Sequence, residues 1–251
     1  MAEPVPPAFT EAMHAVAGVD GWLTDDQARR LWDAAGAVAS GGRIVEIGSH
    51  HGRSTIVLAR AAQPGVEVVA IDPHAGSDRG PREIHGELDT GDQDEHTFRD
   101  NLTRTGVEDR VHHVRLPSQD AGSAVGGNAD LLYIDGAHRF VPARADIMHW
   151  GRRVADGGTM LIHDSFCSVG VTAAIVDQLL GSNRFEYVGR VGTLAEYRRT
   201  SLRGRDRLAS TSRQLRQLPW FARNVLVKIL LVLHLRPLTR LLGHRGGEWP
   251  Y

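Results

Sequence analysis

Val45-Glu46-Ile47-Gly48-Ser49-His50-His51-Gly52-Arg53-Ser54 takes the chain from a short apolar strand, through a turn with two glycines, into a helix. Glycine lets a backbone turn tightly and lets a ligand approach it closely. In an open α/β sheet that ligand lies beyond the carboxyl ends of the strands, where the strand order reverses. The spacing decides which ligand fits. A dinucleotide fingerprint needs G-x-G-x-x-G, with helix N–H groups facing a pyrophosphate. Here three residues separate Gly48 from Gly52, and bulky His50 stands where the second glycine would be. Pyrophosphate is therefore disfavoured, and the acidic Glu46 ahead of the turn suits a ligand that carries positive charge.

Outward from this turn, short apolar strands alternate with helical stretches. Strands are expected at 43–47, 66–71, 110–116, 130–134 and 159–163. They are rich in Val, Ile and Leu and mostly lack a period of two, the pattern of strands covered on both faces. Helices are expected at 54–62, 96–105, 143–154 and 171–180, and a hairpin at 184–190 and 193–198. The whole predicts an α/β class chain: a doubly wound, mostly parallel seven-stranded sheet ending in an antiparallel hairpin. Upstream, Thr24-Asp25-Asp26-Gln27 has the form of a capping box. It opens a helix with Ala28, Leu31, Trp32 and Ala35 on one face, running out near Ser40-Gly41-Gly42. Residues 1–20 read as a loosely packed lead-in, 21–200 as the main domain and 201–251 as a tail. Residues 73–95 are polar and rich in Gly and Asp. A connection of that length is functional or disordered, and its place after the second strand predicts a lid.

Polar residues gather where the strands end. Asp72 closes the second strand, and a carboxylate there can accept from both hydroxyls of a ribose. Ser118, Gln119 and Asp120 follow the third strand, where an adenine edge would lie. Asp135-Gly136-Ala137-His138 follows the fourth strand, and His163-Asp164-Ser165 the fifth.

The runs VEIGSHHGRST, AIDPH, LLYIDGAHRF and GGTMLIHDSF, in this order, resemble the class I S-adenosylmethionine-dependent methyltransferases. Within them the chain is similar to small-molecule O-methyltransferases, the group with the macrolide and aminocoumarin sugar methyltransferases, and to cephalosporin-hydroxylase-like proteins. The resemblance covers about residues 20–200 and leaves the tail unmatched. It implies a Rossmann-like methyltransferase fold. It also implies S-adenosyl-L-methionine as cofactor, held by Glu46, Gly48, Ser49, Gly52, Ser54, Asp72, Ser118, Gln119 and Asp135. The family's strand-end aspartates, which hold a divalent metal, correspond to Asp135 and Asp164. The family often has a second acidic residue beside the latter; here the neighbours are His163 and Ser165. His163 is thus the candidate third ligand, and an imidazole tilts the choice from Mg²⁺ toward Mn²⁺. A hydroxyl is a poor nucleophile at neutral pH, and a metal that binds it lowers its pKa and orients it. The candidate catalytic residues are Asp135 and His138, the latter as general base because imidazole titrates near working pH. Each has a plainer reading: Asp135 and Asp164 cap the next turn, His138 is a surface or loop histidine, and His163 packs in the core.

The chain has 251 residues and a formal net charge of −1, which hides an asymmetry. Residues 201–251 hold ten Lys/Arg against Asp206 and Glu248, so the tail is basic and the rest acidic. Leu215, Leu218, Phe221, Ala222, Val225, Leu226, Ile229, Leu230 and Leu233 recur there at helical spacing, after Pro219 as a start and before Pro237 as a stop. Such a helix suits either peripheral contact with an anionic membrane through 213–236, or docking on the body or on a second subunit as a homo-oligomer. Its apolar run is too continuous for a nucleic-acid surface, so no nucleic acid is expected. One cysteine, Cys167, fits a reducing compartment. The N-terminus has no signal-peptide pattern and no run is long enough to span a bilayer, so a cytoplasmic location is expected, peripheral at the inner membrane face if the tail binds lipid. The leading reading is a metal-assisted O-methyltransferase acting on a hydroxyl of a small molecule, a sugar or glycolipid on the resemblance. The alternatives are a membrane-tethered cofactor-binding module without turnover and a nucleotide-dependent oxidoreductase.

Overall fold

Alternate residues of the central strands leave on opposite faces of one sheet, and this builds two cores. β1 (Arg43–Ile47) sends Ile44 to one core and Val45 and Ile47 to the other; β2 (Glu67–Ile71) divides Val68 and Ala70 from Val69 and Ile71 in the same way. The structure, a computed structural model, describes residues 7–75 and 88–244. β3 (Val111–Val114), β4 (Ala129–Ile134), β5 (Val154–Ile162), β6 (Phe185–Val191) and β7 (Leu194–Arg199) complete the sheet. Its order is β3-β2-β1-β4-β5-β7-β6. The first five strands in this order are parallel; β7 runs antiparallel to both β5 and β6. The seven-stranded α/β arrangement with its terminal hairpin is therefore as the sequence implies. The order reverses between β1 and β4, which makes their carboxyl ends the switch point.

α1 (Pro7–Ala15), α2 (Asp25–Gly36), α3 (Arg53–Ala61) and α4 (Leu88–Arg104) contribute to the first core, and α5 (Phe140–Gly151) and α6 (Val169–Leu179) to the second. The capping box is present: the Gln27 amide N–H donates to the Thr24 hydroxyl, and the Thr24 N–H to the Gln27 side chain. Two expectations change here. Of the expected loosely packed lead-in 1–20, the described part is packed, since Phe9, Val16 and Val19 are buried in the first core; residues 1–6 lie outside the described residues. The polar stretch 73–95 is not structureless throughout, since α4 begins at Leu88; residues 76–87, the middle of the expected lid, lie outside the described residues.

The tail folds as α7 (Gly204–Leu215), α8 (Leu218–Val232) and α9 (Arg236–Thr239). α7 docks on the hairpin: the Tyr187 N–H donates to the Ser210 hydroxyl at 2.9 Å, and the buried Gln214 amide donates to the Tyr197 hydroxyl at 2.9 Å. α8 docks through Trp220 and Phe221 on the second core, with the Arg190 guanidinium 3.7 Å from the Trp220 ring centre. Among the described residues no helix is long and apolar enough to cross a membrane.

Candidate active site

The turn after β1 is built from left-handed residues: Gly48 at φ 85°, His50 at 45° and Gly52 at 88°. A side chain on Gly48 would put its Cβ 2.3 Å from the Asp135 carbonyl oxygen, so glycine is needed for β1 and β4 to exit side by side. At Gly52 the Cβ would meet the Phe98 ring of α4 at 3.1 Å. Both glycines thus serve chain packing, and Gly48 also lines the cleft above. Asp72 shapes the turn. One carboxylate oxygen accepts from the Ser49 and His50 N–H groups at 2.9 and 2.8 Å, the other from the His74 N–H at 2.8 Å. A carboxylate offers about four lone-pair sites, so roughly one remains for a ligand.

Glu46 lies elsewhere than expected. Its place in the strand alternation turns it toward α3, where the Ser54 and Thr55 hydroxyls donate to its two oxygens. It is fully buried and does not line the cleft. Burial pushes its carboxyl up to about 8, against the opposing pull of the two hydroxyls. At neutral pH it mostly holds its proton, and it anchors the start of α3 from below. Ser54 is committed to the same anchor.

The cleft over the ends of β1, β2 and β4 has a volume of about 310 Å³ and is lined by Gly48, Asp72, Ser118, Gln119, Asp135 and Asp146. At its far end the Ser118 hydroxyl donates to the Asp146 carboxylate, which burial pushes up to about 6 against that bond. At the near end Ser49 faces a small hollow beside Trp22 and Asp135. Its hydroxyl is buried without a partner among the described residues, a group that a ligand would satisfy.

Beside the cleft, Asp135, His138 and Asp164 each offer one ligand atom, all within 4.8 Å of one another. His138 Nε2 is 2.8 Å from an Asp164 oxygen. The Tyr133 hydroxyl donates to Asp135 at 2.8 Å. His163 stands behind them, its Nδ1 3.2 Å from Asp135 and 3.4 Å from Asp164. Burial opposes a charge on this ring, but the two carboxylates outweigh it and push His163 up to about 10. For Asp164 burial is likewise outweighed, and His138 and His163 hold it well below the usual carboxylate range. A charged imidazole donates from both nitrogens and has no lone pair for a metal. His163 thus lies as a counter-charge behind the two carboxylates, while His138 is the imidazole that groups with Asp135 and Asp164. Asp164 and Phe166 also adopt left-handed backbone, at φ 55° and 57°. Strain of that kind costs about 1–3 kcal/mol per residue and collects at functional sites.

Two supporting residues were not singled out for the site from the sequence. Gln27, read only as a cap, donates to the Thr193 hydroxyl at 2.9 Å and sits 3.4 Å from His163 Nε2. Tyr133 was read only as a strand residue. Position in a strand told that it was buried, and nothing in the spacing told that its hydroxyl reaches Asp135. A second group, His50, His51 and Asp94, offers three further ligand atoms at the mouth of the turn, with the two imidazoles stacked at 3.8 Å.

Residues 45–165 match the family model of a methyltransferase domain. The catechol O-methyltransferase of Mycobacterium tuberculosis (strain ATCC 25618 / H37Rv) is 34% identical over 144 residues, 57% of this chain and 56% of that protein. The chain thus matches little more than half the length of this curated relative. The crystal structure of cofactor-bound Rv0187 from MTB aligns with a TM-score of 0.57 and 25% identity, over 79% of this chain and 92% of that one. The O-methyltransferase from Bacillus cereus in complex with SAH shares the fold at a TM-score of 0.56 and 18% identity, over 80% and 94% of the two chains.

Proposed function

We propose that this chain, whose residues 45–165 match the family model of a methyltransferase domain, is a class I S-adenosylmethionine-dependent enzyme that transfers a methyl group to a hydroxyl of a small molecule with the help of a divalent metal. The observation that carries the reading is the convergence of Asp135, Asp164 and His138 beside the cleft that Ser49, Asp72, Ser118 and Gln119 border. The residues fit both groups. The cleft has polar partners at both ends, and two carboxylates with one imidazole make a mixed oxygen–nitrogen set that suits Mn²⁺ at least as well as Mg²⁺. When bound, the cofactor supplies an electrophilic methyl group; a metal on the three side chains supplies a positive charge that acidifies and orients the acceptor hydroxyl. The chain's own part is to keep the site charged and rigid. His163 and the Tyr133 hydroxyl hold the two carboxylates in place, and Gln27 steadies His163 from below. The acceptor class we infer is a vicinal diol, a sugar or glycolipid on the sequence resemblance, or a catechol as in the named relative.

The test is methyl transfer from S-adenosylmethionine to a panel of catechols, sugars and glycolipids, with EDTA and then with Mn²⁺ or Mg²⁺ restored. Chelation should abolish turnover, and Asp164→Asn should lower it by roughly 100-fold while leaving cofactor affinity almost unchanged. No calorimetric binding of the cofactor would sink the assignment. The 2.8 Å contact of His138 with Asp164 supports a second reading, a metal-free dyad with His138 as general base. It predicts turnover that survives EDTA and is lost in His138→Ala.

A further inference from the structure

α8 has two faces with different fates. Its inner face buries Asn224 and Val227 and closes over the end of β5: the Asn224 amide donates to the Phe166 carbonyl at 3.3 Å, and Lys228 Nζ to the Cys167 carbonyl at 3.1 Å. Its outer face leaves Leu226, Ile229 and Leu233 exposed, at i, i+3 and i+7. The chain then turns through α9 with Leu235, Leu238 and Leu241 exposed as well, the last at 84%. Large exposed apolar surface in a folded chain marks a docking site.

The charge around this surface selects its occupant. Residues 207–244 contain seven Lys/Arg and no Asp or Glu. Arg236 and Arg240 are exposed between the three leucines of the last turns. A second copy docked here by two-fold symmetry would set this acid-free surface against itself, and like charges across an interface are costly. Anionic headgroups would instead neutralise the arginines while the leucines enter the acyl boundary. We propose that the outer face of α8, with the 235–241 turns, docks this protein on an anionic lipid surface. The inner face of the same helix holds Phe166 and Cys167, which follow Asp164 within three residues. The docked surface and the acceptor side of the site therefore share one wall. Resting on the methyltransferase reading, this points to an acceptor presented on a lipid.

Flotation of the full chain on vesicles tests the docking without any need for turnover. The protein should float with phosphatidylcholine–phosphatidylglycerol vesicles, far less with phosphatidylcholine alone, and less as salt is raised. Ile229→Glu with Leu233→Glu should weaken partitioning roughly tenfold or more, as should Arg236→Gln with Arg240→Gln. Both variants should keep the wild-type circular dichroism and cofactor affinity. Failure of the wild type to float would overturn the proposal. So would a dimer in light scattering that the glutamate variant dissolves, since a second copy would then own the face. Flotation without cofactor binding would sink the enzyme reading and leave the docking standing.

Discussion

Glu46 shows how far a single residue can depart from its apparent role. It stands one strand position before the glycine turn and reads as a ligand for positive charge, yet the period of two in β1 aims it into the first core. Its raised pKa has a consequence for stability. The folded state holds the proton up to about pH 8, whereas an unfolded glutamate releases it near 4.5. The contribution is therefore complete below the unfolded value and is lost as pH rises through the folded one, at up to ~1.4 kcal/mol per pH unit. Thermal melts from about pH 6 to about pH 9 should show the wild type losing stability, and Glu46→Gln a flatter profile. Equal slopes in the two proteins would refute the buried-proton reading. Gly48 allows a second prediction. Gly48→Ala combines φ 85° with a 2.3 Å approach to a backbone oxygen, so urea unfolding should show a loss of ~2 kcal/mol or more. A smaller loss would mean that the turn gives way.

Elements were legible where they were apolar and local. β1 begins and ends where its sequence pattern does, and the Thr24–Gln27 box opens α2 as expected. The reading failed where polar residues interrupt an element. α4 starts at Leu88 in a stretch of Asp, Gly and Gln with no apolar period, and β5 begins at Val154 although Asp156, Gly157 and Gly158 follow. Gln27 joins the element scale to the site. Thr24→Ala removes only a cap, worth about 1 kcal/mol. Gln27→Ala also takes away the Thr193 contact and the neighbour of His163. Turnover should therefore fall in Gln27→Ala and stay near wild type in Thr24→Ala at matched temperature below both melts; an equal fall would make Gln27 a cap alone.

On the scale of the whole molecule, the tail is a structural part of the half that carries the candidate site. α7 caps the hairpin and α8 braces the left-handed turn at Phe166, so removal of residues 204–244 would uncover Tyr187 and Tyr197 and free that turn. The truncated chain should melt well below the full chain, and unchanged melting would show that the docking carries no stability. The alternation of strands and helices, the turn after the first strand and the four strand-end motifs were readable in the chain itself, whereas the order of the strands came from the fold. Hydrophobic period, glycine conformation and residue spacing are local quantities, written between neighbours. Which imidazole groups with Asp135 and Asp164, which carboxylate keeps its proton and which glycine serves packing were decided only in three dimensions. Those depend on burial and on distances between groups remote in sequence: His163 takes its charge from Asp135 as well as from the adjacent Asp164, and Gln27 reaches it from the far end of the domain.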